Sequence, residues 1–306
     1  VSIYRRKNMY YQIIPKRDFQ FSLENTIMLF KNIGSAREKL TLKTIFAGAF
    51  NYKYIIDCDK DNRINFYLWI SDSVNQDAAV NAVTVWLANK AVVFKSNAVL
   101  KEYSVVDTLY DYESAGGKNK KLSAFTNETV FMNILAMLQP GTRIVIGFRV
   151  TDISLKEKNN FRFGRGGTDV EIEALIQVSG DSKYSRTNVM NIAGSICSLT
   201  ADERRLSVKF KNKFMPIKLS GSEFANIFQL PTLFRKDEDT VKRINYLFPG
   251  QITLNEDEYK EGIYVGKNYH PVQKDRKVFL DLDPARKHGI ISGSTGSGNS
   301  PAVAEM

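Results

Sequence analysis

The chain has 306 residues, with 43 Lys+Arg against 33 Asp+Glu and a formal charge of +10. Apolar residues make up 43% and charged residues 25%, the composition of a folded globular protein, which excludes wholesale disorder. Two cysteines, Cys58 and Cys197, exclude a disulfide scaffold and predict a reducing, cytoplasmic setting. No apolar run reaches the ~18 residues of a membrane span. The longest apolar-rich stretch, 78–95, is broken by Asn81, Asn89 and Lys90. The opening residues, Val1 to Lys7, lead into no apolar core of signal-peptide type. The basic surplus permits contact with nucleic acid or an anionic membrane surface, but it is spread along the chain, as on an ordinary solvated surface.

In chain order, residues 9–19 read as a strand. Ser22 is placed as the N-cap of a helix with Leu23, Ile27, Phe30 and Ile33 on its apolar face. A strand near 42–49 follows. Asp59 to Asn62 form a turn between strands 52–57 and 63–70. Ser73 with Gln76 has the capping-box spacing and opens a helix burying Val80, Val83, Trp86 and Leu87. With a strand near 100–110, the order is β-α-β-β-α-β.

The same order recurs, with strand 100–110 counted as its opener. Thr126 or Asn127 caps a helix that Pro140-Gly141 stops. Strands 142–152 and 169–178 follow, then helix 186–200 and strand 205–214. The expected fold class is therefore an α+β amino-terminal region, 1–218, of two ferredoxin-like βαββαβ halves, 1–112 and 113–218. Residues 219–250, with Pro231, a charged run and Pro249, read as a connector. From 251 to 306, short strands near 263–265, 278–282 and 289–292 read as the beginning of a RecA-like α/β P-loop domain.

The motif that carries chemistry is Gly293, Ser294, Thr295, Gly296, Ser297, Gly298, Asn299 and Ser300. It matches G-x-x-x-x-G-K-[ST] except that Asn299 replaces the lysine. The glycines let backbone N–H groups turn inward onto a phosphate, and Ser300 is placed to hold Mg²⁺. A lysine gives the β/γ-phosphates a full charge, whereas Asn299 offers a neutral amide. Charge-assisted hydrogen bonds are roughly twice as strong as neutral ones. ATP and Mg²⁺ are thus expected to bind weakly, with little or no turnover. The sequence stops at Met306 before any acidic Walker-B strand, so a longer parent chain is expected, itself an ATPase.

Two stretches resemble the HerA/FtsK superfamily of ring-forming ATPases, of the conjugation and type IV secretion kind. One is Leu219 to Pro231, like an "S-x-E-hydrophobic-A…P" connector. The other runs from Tyr264-Val265-Gly266-Lys267 through Val278 to Asp283 and Lys287-His288 to the glycine-rich turn. The resemblance covers residues 219–306. It implies a homo-oligomer, hexameric in the parent, that couples ATP hydrolysis to moving DNA or protein. It further implies a place at the inner membrane face beside secretion-channel proteins.

Two other readings stand beside that motor. One is a non-enzymatic adaptor with a vestigial P-loop. The other is a nucleic-acid-binding accessory using Lys118, Lys120, Lys121, Arg162 and Arg165, where aromatic, basic and glycine residues mix over 161–167. Asp57, Asp59 and Asp61 mimic the start of a calcium loop, but Leu68 stands where a bidentate Glu is needed, so a hairpin turn is the better reading. Glu171 and Glu173 alternate with Ile172 and read as a solvated strand face. His270, His288 and the two cysteines show no metal-ligand spacing. Ser195 lacks a nucleophile elbow.

Overall fold

A computed structural model describes residues 10–16, 19, 21–35, 50–72, 74–87, 90–96, 100, 103, 105–112, 128–155, 169–182, 185–197, 205–209, 217–231, 238–247, 262–268, 270–273 and 275–280. Two compact units divide it, Val1–Tyr246 and Leu247–Met306.

In the first unit, β1 (Tyr10–Pro15), α1 (Leu23–Ser35), β2 (Tyr52–Cys58), β3 (Ile64–Ile70), α2 (Gln76–Leu87) and β4 (Ala91–Ser96) form one β-α-β-β-α-β series. A second follows: β5 (Val105–Tyr112), α3 (Glu128–Met137), β6 (Thr142–Leu155), β7 (Asp169–Gly180), α4 (Arg186–Cys197) and β8 (Arg205–Lys209). After it come β9 (Ile217–Ser220), α5 (Gly221–Phe224) and α6 (Glu238–Arg243). The strands make one nine-stranded sheet in the order β4-β1-β3-β2-β6-β7-β5-β8, with β9 also on β7. Every strand pair in it is antiparallel. The two series meet where β2 pairs with β6, Tyr52 opposite Phe148 and Cys58 opposite Thr142.

Side chains alternate across a strand, so one set of positions can face a helical layer and the other cannot. Tyr52, Tyr54 and Ile56 of β2, Phe66 and Leu68 of β3, Ile144, Ile146 and Phe148 of β6, and Ile172 and Ile176 of β7 join one buried cluster. Phe30, Val83, Trp86, Leu135, Val189 and Ile192 of the helices complete it. The alternate positions carry Lys53, Asp57, Arg143, Arg149, Glu171 and Glu173.

Local signals explain most boundaries. Ser22 accepts the amide of Asn25 at its Oγ (3.3 Å) and that of Thr26 at its carbonyl (3.0 Å), as its capping role requires. The hairpin turn at 59–62 forms because Asp59 Oδ1 accepts the amides of Asp61 (3.0 Å) and Arg63 (2.8 Å), while Asn62 takes a φ of 61°. Asn tolerates that left-handed region better than most residues. Gly141, at φ 76°, turns the chain out of α3 into β6.

Three details differ from expectation. The cap of α2 is Asn75, whose Oδ1 accepts the amide of Ala78 at 3.1 Å; the expected cap, Ser73, lies outside the described residues. The Ala91–Ser96 segment is a strand of its own, closing the first series, so β5 serves only the second. Its run of Ala, Val, Val and Phe fits a half-buried strand beside β1 once the helix ends at Leu87. The expected strand near 42–49 lies outside the described residues.

Residues 219–231, expected as a connector, lie in the core of the first unit. Ser220 Oγ accepts the Glu223 amide (3.3 Å), and Glu223 Oε2 accepts the Ser220 amide (2.7 Å), a complete capping box. That turn aims Phe224 and Phe228 into the helical layer. Phe228 meets Tyr54, Phe30, Trp86 and Phe148 at ring-centroid distances of 4.8–5.4 Å.

The second unit is described over β10 (Ile263–Lys267), a 3₁₀ turn (Pro271–Gln273) and β11 (Lys277–Leu280). The two strands pair antiparallel as a ribbon, with an irregularity between Tyr264 and Gly266. No RecA-like domain is shown among the described residues. Nor is any helix among them long and apolar enough to cross a membrane.

Candidate functional site

All the residues predicted to bind phosphate or nucleic acid, Gly293 to Ser300, Lys118, Lys120, Lys121, Arg162 and Arg165, lie outside the described residues. His288 does too. The other sequence candidates have structural partners. Asp57 is held by Arg143, and Asp59 closes its own turn. Ser195 Oγ lies 3.2 Å from Met137 Sδ. His270 is buried, and its Nδ1 accepts the Val272 amide at 3.3 Å. Among the described residues no group of His, Cys, Asp and Glu is placed to hold a metal.

Glu171 and Glu173 belong to a cross-strand charge ladder. Arg149 on β6 donates through Nε (2.8 Å) and Nη2 (2.5 Å) to Glu173 Oε2. Lys218 on β9 lies 3.6 Å from Glu171 and 3.9 Å from Glu173. Arg149 and Lys218 sit directly opposite Glu173 on either side. Opposite charges so placed stabilise a sheet, so these glutamates fasten β9 to β7.

A buried polar cluster lies on the face away from the helices, at the β2–β6 seam. Arg143 Nε donates to Asp57 Oδ1 at 2.7 Å, and both side chains are less than a tenth exposed. The Arg143 guanidinium stacks over the Tyr103 ring at 4.2 Å, and Tyr103 donates to Asp57 Oδ1 at 3.4 Å. Burial first, then the Asp57 charge, raises the pKa of Tyr103. The same causes push Tyr67 up to about 12, with Asp59 adding to the rise and Arg143 opposing it. Asp57 and Arg143 neutralise each other here, and both phenols are held in the protonated form.

A second cluster sits at the hairpin end. Cys58 is fully buried, and Arg243 Nη2 reaches its Sγ at 3.4 Å. Burial raises the thiol pKa, and the hydrogen bond and charge of Arg243 oppose the rise. Sequence reasoning missed both clusters. Each joins residues distant in the chain, and an isolated Arg or Cys carries no local signal of its partner. A narrow gap between sheet and helices is lined by apolar side chains including Ile56, Phe131, Ile144 and Ile176, with no convergent polar group.

Comparison with known proteins corrects the expected kinship. No family model matches the chain. No curated protein matches it. A solved structure that does match is that of a chlorite dismutase-like protein, 12% identical, covering 72% of this chain and 99% of the other at a TM-score of 0.20. So low a score carries no argument about this chain. The HerA/FtsK resemblance is overturned: no family model of that superfamily and no curated member of it matches the chain, and no RecA-like domain is shown among the described residues. Its connector motif also has a local explanation: Ser220 and Glu223 form a capping box, and Phe224 fills the core.

Proposed function

We propose that this chain is a non-enzymatic interaction protein, an α+β platform followed by a docking ribbon and a vestigial phosphate loop. The platform is read as two ferredoxin-like halves set edge to edge. In support, the first series is ordered β4-β1-β3-β2 and the second β8-β5-β7-β6, the same permutation of β-α-β-β-α-β.

The surface of the β10–β11 ribbon carries the interaction reading. Tyr264 and Val265 are 49% and 47% exposed, and Val272 is 50% exposed. Tyr264 and Val265 are adjacent at the irregularity in β10, so the ribbon offers exposed apolar surface there. A two-stranded ribbon is marginally stable by itself in water, and clustered exposed apolar side chains mark contact surfaces. The partner that fits is a protein with an apolar face, a second copy of the chain being the first to test. Sedimentation velocity over a wide concentration range tests this. Self-association that is lost in Tyr264→Ser/Val265→Ser/Val272→Ser supports the reading. A monomer at every concentration removes self-association, and a triple variant that associates like the wild type removes the ribbon.

The Gly293–Ser300 motif favours a second property of the same protein. Its backbone amides would hold the phosphates of ATP, with Mg²⁺ on Ser300, weakly and without turnover because Asn299 brings no charge. The motor reading depended on the overturned kinship and goes no further.

A further inference from the structure

The segment Glu238–Tyr246 lies across the end of the β2–β3 hairpin, and one side chain makes four of its polar contacts. The Arg243 guanidinium donates to the carbonyls of Asn62 (3.3 Å), Ala136 (3.2 Å) and Leu138, and reaches Cys58 Sγ. Ala136 and Leu138 lie at the C-terminal end of α3, where carbonyls have no partner within the helix. A cation there also meets the negative end of the helix dipole. Other ties join the same segment to the hairpin. Ile244 makes one isolated parallel bridge with Ile64. Asn245 donates its amide to the Ile64 carbonyl at 3.2 Å and its Nδ2 to Asn65 Oδ1 at 3.4 Å. Thr240 and Ile244 are buried. α6 itself has six residues, too few to persist as an isolated helix. Cys58 lies beneath this attachment at 0% exposure. From Leu247 onward the chain belongs to the second unit.

We infer that Glu238–Tyr246 is a releasable strap. It lifts from the hairpin while the sheet stays folded, and lifting uncovers Cys58 and the end of α3. The Arg243 fork is its fastening. Short elements at the margin of a core open at lower free energy than the core they rest on, and here Ile244 is the one fully buried apolar side chain of the strap, with Val241 and Tyr246 only partly buried against the core. The state of the segment leading to the second unit is thus readable at a thiol inside the first.

The test is alkylation of the intact chain by iodoacetamide at increasing sub-denaturing urea, with peptide mass mapping to separate Cys58 from Cys197. Local release predicts Cys58 labelling whose rate barely changes with urea, because little surface is exposed on opening. Arg243→Ala should raise that rate by about tenfold or more, because a charged hydrogen-bond donor is lost. Arg243→Lys keeps the charge but not the fork, and should give a smaller rise. The inference is overturned if wild-type Cys58 labels with the same urea slope as global unfolding. It is equally overturned if a folded Arg243 variant labels at the wild-type rate. Should Arg243→Ala not fold, the lysine variant and the wild-type urea slope still decide. Hydrogen exchange gives a further check: the Asn245 amide should exchange well ahead of the amides of β2 and β3.

Discussion

Asp57 and Arg143 stand directly opposite each other across the β2–β6 seam, with Arg143 Nε 2.7 Å from Asp57 Oδ1. They are 86 positions apart in sequence and lie where the two β-α-β-β-α-β series join. Tyr103 braces the pair from one side with its ring and its hydroxyl. The seam is thus closed by backbone pairing on both strands and by one neutralised charge pair on the face away from the helices.

Removing one partner should therefore be worse than removing both. Asp57→Asn or Arg143→Met leaves a buried group without its counter-charge and should cost about 3–5 kcal/mol. The double variant Asp57→Leu/Arg143→Met should recover much of that loss. Urea unfolding of the three proteins measures it. Equal losses in the single and double variants would mean the pair contributes by packing rather than by charge.

Tyr67 sets an alkaline limit. Its folded pKa is about 12 against an ordinary 10, so above pH 10 the unfolded chain releases the proton first. The native state then binds more protons than the unfolded one, and stability falls as pH rises. The contribution is whole below pH 10 and is lost between pH 10 and about 12. Tyr67→Phe should flatten that part of the stability–pH curve. Thermal melts at pH 9, 10 and 11 give the comparison, and parallel curves for the two proteins would refute the assignment.

The capping box and its aromatic residues hold the sheet's helical layer together. Phe228→Ala should destabilise the first unit by about 3–5 kcal/mol, as a buried Phe deletion does. Ser220→Ala should cost about 1 kcal/mol through the lost cap. If 219–231 acted as a connector, neither change would move the unfolding midpoint of the first unit.

Gly141 is needed for both its backbone and its space. At φ 76° an L side chain is strained, and an added Cβ would fall 2.5 Å from the Asp181 carboxylate. Gly141→Ala should cost about 1–3 kcal/mol. Gly194, around which a Cβ meets nothing within 4 Å, is the control: Gly194→Ala in the interior of α4 should be neutral or stabilising.

Asn299→Lys would complete the phosphate-loop pattern. If Gly293–Ser300 holds phosphate, this variant should bind Mg·ATP at least about tenfold more tightly than the wild type, the effect of replacing a neutral donor with a charged one. Calorimetric titration of both proteins reads this. No binding by either protein would show that the glycine-rich segment is a turn and no more.

The sequence by itself determined most helices and strands of the two series in the first unit, but not β4 or the 217–224 strand and helix. Apolar periodicity marked α2 and α4, the Asp59–Asn62 turn marked the β2–β3 hairpin, and Pro140-Gly141 ended α3. These signals lie within a few residues of the structure they make, because helix faces, caps and turns are satisfied by near neighbours. The place of 219–231 was a different matter. Its proline and its flanking charges looked like a linker, while Phe224 and Phe228 had no visible partners until Phe30, Tyr54 and Phe148 were folded around them. The same holds for Asp57 with Arg143 and for Cys58 with Arg243. Strand order, the β2–β6 seam and these buried pairs were decided only by tertiary structure. They depend on which distant segments can exclude water together, and that is a property of the whole packed chain and of no local stretch.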